Sequence, residues 1–321
     1  MMVEGTVAIW LNISTIAILT FILANGAVSA LVCVLAQQFL TLQVASRKTS
    51  LWLLVTLPWI ASLCVASCFF YQYFYASPFE PTLSFAHWHH ISDFNWLSWH
   101  GVTLLIGLAF IAYVFVSKLR QLHKHQQQIK LLAEFSQPLG PNLYLVDAPY
   151  ASAFTSGFFK KRCFVTKPLL ASTSTTEQAI IVGHEQAHAK NSDPLKKWLF
   201  SILALFFVPT IAKRLKLHMT LAMEQDADNA VINNEFEPTI VASTLVKVAR
   251  LNAQQSPLAH SELVANFGAD VLEQRVHFLL GQLNLKPTNP WLTAVFVLST
   301  LIVCIVSIDS LHHFIETIFN H

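Results

Sequence analysis

Four stretches of the chain, residues 9–35, 51–71, 96–116 and 291–308, carry apolar side chains with no Asp, Glu, Lys or Arg among them. Each approaches or exceeds the ~20 residues an α-helix needs to cross a hydrocarbon core. They predict three membrane helices in segment 1–117 and a fourth in segment 287–321, ahead of a short tail. Pro58 interrupts the second span, a kink that neighbouring helices tolerate. Between the third and fourth spans, residues 118–286 form the only region large enough for a polar domain.

That region opens on a basic helical extension, Lys118 to Lys124, which Pro138, Gly140 and Pro141 bring to an end. Residues 142–147 alternate and read as a strand, 151–157 as a turn, and Arg162–Thr166 as a second strand. Ser174 followed three residues later by Glu177 is a capping-box pattern. It predicts a helix running to about Asn191, stopped by Asp193-Pro194. Residues 198–212 are apolar, too short for a span, and flanked by lysines and Arg214. They read as a re-entrant, interfacial or buried hairpin element rather than a fifth crossing. Further helices are expected at about 215–233, 239–252 and 262–283, with Pro257 between the last two.

Composition agrees with this pattern. The chain of 321 residues is 54% hydrophobic and 12% charged, against about 25% charged for an ordinary soluble domain. The net charge of +2 gives no reason to expect direct nucleic-acid binding. Position matters more than balance: all basic residues but Arg47 and Lys48 lie between Lys118 and Lys286. Lys and Arg are retained in the cytoplasm. The charges therefore predict both termini outside and the 118–286 domain in the cytoplasm. Cys33, Cys64, Cys68 and Cys304 lie within spans and Cys163 in the inner domain, so no disulfide framework is expected.

His184-Glu185-Gln186-Ala187-His188 carries the chemistry. Residues i and i+4 of a helix share a face, so His184 and His188 can direct both imidazoles to one Zn²⁺. Glu185 can then act as general base towards a water that zinc acidifies. A catalytic zinc usually has three protein ligands. Candidates for the third include Glu224, His218, His260 and His277, with Glu224 in the best-organised context. Asp228 shares a helix face with Glu224 and can orient a ligand imidazole. Asp226 points elsewhere and reads as a solvated acid.

These features resemble the BlaR/MecR-type membrane metallopeptidases, the bacterial antirepressor proteases. The resemblance rests on His184–His188 followed by Asp193-Pro194-Leu195, on Glu224-Gln-Asp-Ala-Asp228, on residues 154–166, on Leu272-Glu-Gln-Arg275-Val, and on the order of the spans. It implies a mainly α integral membrane protein with a cytoplasmic α+β, gluzincin-like protease domain inserted between the third and fourth spans. By it, His184, His188 and Glu224 ligate one zinc, Glu185 is the catalytic base and Asp228 supports a ligand. Asp193 either orients the site or only caps a helix. It also implies a location in the bacterial inner membrane and a protein substrate such as a transcriptional repressor. Two departures stand out. Lys160-Lys161-Arg162 replaces an Arg-Pro, and only residues 309–321 follow the fourth span where the antibiotic receptors carry a penicillin-binding sensor. β-Lactam sensing is therefore not expected.

The expected reaction is hydrolysis of a peptide held in extended form along an edge strand made by Arg162, Cys163, Phe164, Val165 and Thr166. Transition-state donors remain open among His218, His260, His277 and Arg275. A quality-control protease resembling the Ste24/HtpX class is the alternative. A third reading is a metal-sensing receptor using His87, His89, His90, His100, His312 and His313. The lipid bilayer is an expected partner, and no oligomeric state is read from the pattern.

Overall fold

The computed structural model describes residues 2–35, 37–75, 91–255 and 262–319. Strand β1 (Met2–Glu4) leads into helix α1 (Thr6–Leu35), and a 3-10 turn turns the chain into α2 (Val44–Phe74). Strand β2 (Asp93–Asn95) precedes α3 (Trp99–Glu134). Strands β3 (Gln137–Gly140), β4 (Leu143–Val146), β5 (Ala153–Ser156) and β6 (Arg162–Thr166) come next. Helices α4 (Lys167–Ser172), α5 (Thr175–Asn191), α6 (Asp193–Ala204), α7 (Pro209–Ile232), α8 (Pro238–Gln255), α9 (Glu262–Leu279) and α10 (Pro290–Phe319) complete the chain.

Four helices among the described residues are long and apolar enough to cross a membrane: α1, α2, α3 and Pro290–Ile315 of α10. The last outruns its expected end at residue 308. No Pro or Gly follows to stop it, and Asp309 and His313 face each other one turn apart. The expected tail is therefore helix as far as Phe319. His87, His89, His90 and His260 lie outside the described residues.

Pairing fixes which ends of the bundle lie together. β1 runs antiparallel to β2, and Asn12 Nδ2 donates to the carbonyls of Ile91 and Asp93 at 2.9 and 3.1 Å. The first residues and the segment before α3 thus share one end. His312 of α10 joins them, its ring centroid 5.4 Å from that of His100. At the opposite end, Gln43 N donates to Lys286 O at 2.9 Å and Lys286 N to Thr41 O at 2.8 Å. Arg47 and Lys48 therefore sit at the same end as the 118–286 segment.

The four-stranded sheet has the order β3-β4-β6-β5, with β4 and β6 parallel and the other pairs antiparallel. Two expectations are corrected here. Residues 151–157 are not simply a turn, because Ala153 to Ser156 pair with β6. The turn proper follows at Gly157, whose φ of +100° suits glycine and where a Cβ would stand 2.1 Å from Lys160 O. Arg162–Thr166 is not an edge strand, since β4 and β5 occupy both its sides. Cys163, Phe164, Val165 and Thr166 are buried as well, so neither backbone nor side chains there can meet a peptide. The sheet edges are β3 and β5.

Asp193-Pro194 ends one helix and starts another. Ser192 adopts the left-handed conformation (φ 59°) as a one-residue joint between α5 and α6, and Lys161 Nζ donates to its hydroxyl at 2.7 Å. The apolar stretch 198–212 is likewise two helix ends: α6 stops at Ala204 and Pro209 opens α7. Phe200, Phe207, Ile211 and Leu215 bury this corner against Val28, Val32, Leu51 and Leu57 of the first two spans. The corner turns α7 back towards α5.

Candidate metal centre

The capping box expected at Ser174 is formed. The Ser174 hydroxyl accepts from Glu177 N at 3.3 Å and Glu177 Oε2 accepts from Ser174 N at 2.7 Å. This start sets the phase of α5, so that His184, Glu185 and Ala187 lie on its buried side, with His188 partly buried. α7 delivers Glu224 and Asp228 from the opposite wall.

The ligand atoms converge. His184 Nε2 lies 3.2 Å from His188 Nε2 and 3.3 Å from Glu224 Oε2, while His188 Nε2 is 3.6 Å from Glu224 Oε1. Zinc–ligand bonds of 2.0–2.2 Å in a tetrahedron require ligand atoms about 3.3 Å apart. The donor set and its spacing therefore fit a zinc ion, and these three residues form the one such cluster among the described residues. The other ring nitrogens are backed by carboxylates. His188 Nδ1 is 2.7 Å from Asp193 Oδ2. His184 Nδ1 is 3.0 Å from Asp228 Oδ1, close but outside good hydrogen-bond alignment. The hydrogen bond to Asp193 fixes the His188 tautomer that leaves Nε2 free for a metal, and Asp228 is placed to do the same for His184.

Arg275, on α9, locks the acidic side of the centre. Its Nε and Nη2 donate to the two oxygens of Asp228 at 2.8 and 2.7 Å, and its Nη1 lies 3.0 Å from Glu224 Oε2. Burial alone would raise the Glu224 carboxyl; the two imidazoles and Arg275 more than reverse this and hold it well below its ordinary value. Burial likewise disfavours the His188 imidazolium, but Asp193 and Glu224 bring it up to about 10. Both histidines compete with protons for a metal on these terms.

Glu185 has a partner that sequence reading missed. Thr155 of β5 lies within donating distance of its carboxylate, so the edge strand and the HExxH helix are bonded at the point of chemistry. The only sequence signal was a threonine in a stretch read as a turn. Asp226 is a second correction. Rather than being merely solvated, the partly exposed carboxylate accepts from Lys48 Nζ at 2.7 Å and Asn191 Nδ2 at 3.1 Å. His218 is buried against Phe39, and His277 pairs with Gln282 away from the centre. Of the donor candidates among the described residues, Arg275 alone reaches the site, already engaged by carboxylates.

The centre opens into a cavity of about 900 Å³ walled by β5, α5, α7, α8 and the extension of α3 beyond Lys118. His125 on that extension sits 3.1 Å from the Ser156 hydroxyl at the end of β5.

Residues 118–261 match the family profile of Peptidase family M48. Over 55 residues the chain is 42% identical to Protease HtpX homolog 1 of Sulfurisphaera tokodaii, covering 16% of this chain and 18% of that protein. Over 82 residues it is 30% identical to the Protease HtpX homolog of Helicobacter pylori strain J99, covering 25% of this chain and 26% of that one. The matched stretches thus span about a quarter or less of those relatives. With four apolar helices, these matches support a membrane metalloprotease of the M48 kind. They fit the HtpX-like alternative at least as well as the first reading, and lend no specific support to a BlaR/MecR-type antirepressor.

Proposed function

We propose that this chain is a membrane-embedded, zinc-dependent endopeptidase that cleaves peptide segments on the cytoplasmic side of a bacterial inner membrane. The observation that carries the reading is one constellation: three ligand atoms at tetrahedral spacing, backed by Asp193 and Asp228, with Glu185 beside them in an open cavity. Zinc held by His184, His188 and Glu224 would polarise the scissile carbonyl and acidify water.

The protein's own groups do the rest. Glu185 accepts the proton of the attacking water and returns one to the leaving amine. Thr155 holds the carboxylate of Glu185 towards the cavity. The outer edge of β5 replaces Arg162–Thr166 as the strand along which an extended substrate pairs. Because α3 forms one wall directly beyond a span, the cleft favours segments that lie close to the membrane.

Because the HtpX-like reading fits at least as well, we put turnover of membrane proteins ahead of cleavage of one soluble regulator. N-terminal proteomics comparing wild-type with Glu185→Gln cells, alongside zinc analysis of both purified proteins, tests this. Many new termini near membrane spans, lost in the variant with zinc retained, support the reading. A single cleaved repressor would shift it to regulatory proteolysis, and cleavage undiminished by Glu185→Gln would overturn it.

A further inference from the structure

We infer that Arg47 and Lys48, at the start of the second membrane helix, are positioning residues for the metal centre, holding the two ligand-bearing helices in register. The inference rests on the zinc-peptidase reading and deepens it, by making the membrane bundle part of what sets metal affinity.

Their plain role would be topological: two cations that keep a loop on one side of the membrane. That role requires no partner in the fold. Arg47 is instead fully buried. Its Nη2 donates to the carbonyls of Leu40 and Leu42 at 3.0 Å each, and its Nη1 to Gln225 Oε1 at 2.9 Å. A buried guanidinium is costly unless its geometry is used, and here it is used on the neighbour of ligand Glu224. Gln225, itself fully buried, reaches from there to the carbonyl of Gln274, next to Arg275.

Lys48 makes the second link. Asp226 Oδ2 accepts from Lys48 Nζ and from Asn191 Nδ2, so one carboxylate oxygen joins α2, α7 and the last residue of α5. α5 brings two ligands and α7 the third. The gap between those helices is the gap between ligand atoms; α2 is fastened directly to α7 and reaches α5 through the shared carboxylate of Asp226. Zinc tolerates little error in that gap, and supporting contacts are typically worth about 10- to 100-fold in affinity.

The test is zinc affinity of the full-length protein in lipid nanodiscs, by competition with a fluorescent chelator, for wild type, Arg47→Lys, Lys48→Met and Lys48→Arg. Arg47→Lys keeps the charge but loses the fork. Arg47→Lys and Lys48→Met are expected to weaken zinc binding about tenfold or more, while Lys48→Arg binds as wild type and the unfolding midpoint of zinc-stripped Lys48→Met is unchanged. Should Arg47→Lys fail to fold, Lys48→Met, whose native side chain is partly exposed, decides the matter. Wild-type affinity in Lys48→Met overturns the inference. So does a loss matched by equal destabilisation of the stripped protein and not spared in Lys48→Arg. A wild-type protein that binds no zinc overturns the peptidase reading itself, which is a separate result.

Discussion

The Thr155 hydroxyl stands 2.7 Å from Oε2 of Glu185 and 2.7 Å from the backbone carbonyl of the same residue. It has one proton, so it serves one of these acceptors at a time. Either way it fastens the edge strand to the helix that carries the base. A hydrogen bond to a charged group is worth about 1.5–3 kcal/mol, which corresponds to roughly 10- to 100-fold in rate if it is made in the transition state. Thr155→Val is expected to lower kcat by about tenfold or more, with Thr155→Ser near wild type. Steady-state kinetics on a peptide substrate measures this, and an unchanged kcat would show that Glu185 orients itself.

Asp193 accepts the Nδ1 proton of His188 at the first position of α6, where a negative charge also suits the helix N-terminus. Asp193→Asn keeps the shape and removes the charge. Zinc affinity is expected to drop by about 10- to 100-fold with secondary structure intact by circular dichroism. Equal affinity would leave Asp193 as a helix start only.

What was legible in the sequence was local. The capping box, His184 with His188, and Glu224 with Asp228 are all relations over three or four residues, which helical geometry alone converts into shared faces. The membrane helices were legible because their signal is a sum over some twenty residues. The strand β5 was not, since its pairing comes from β6 across a turn and its Phe-Thr-Ser run has no alternation of its own. For the same reason Arg162–Thr166 passed for an edge: the order of strands in a sheet is a long-range property. Asp226 passed for a solvated acid because its cation, Lys48, lies far away in sequence.

Asp228 shares its two oxygens with Arg275 in a buried fork. Removing the Asp228 charge leaves Arg275 with Glu224 alone, and breaking a buried pair costs up to about 3–5 kcal/mol. Asp228→Asn should therefore lower stability even without zinc, unlike Asp193→Asn. Thermal unfolding of the two stripped variants, side by side, distinguishes them.

His218 is buried with its Nδ1 unpaired, and burial together with the charges of Arg47 and Arg214 brings its pKa down to about 4. Its unfolded value is near 6.5. Between these values the unfolded chain holds a proton that the folded one refuses. The stability His218 allows is thus fully present above pH 6.5 and is lost progressively as the pH falls towards 4. The shift corresponds to about 3 kcal/mol at most. His218→Gln, which cannot titrate, should flatten the fall in unfolding midpoint between pH 6.5 and 4. An identical acid profile in the variant would assign that loss to other groups.

α3 runs 36 residues from Trp99 to Glu134 as one helix, about 54 Å at 1.5 Å per residue, across a hydrocarbon layer of about 30 Å. More than a third of it therefore stands beyond the lipid, and that part is a wall of the cleft. Rigid rods amplify angle into distance. A change of tilt of about 5° moves the level of His125 by roughly 3 Å, as far as the whole contact between His125 and Ser156. Any tilt that bilayer thickness imposed on α3 would therefore be felt, magnified, at the opening of the cleft.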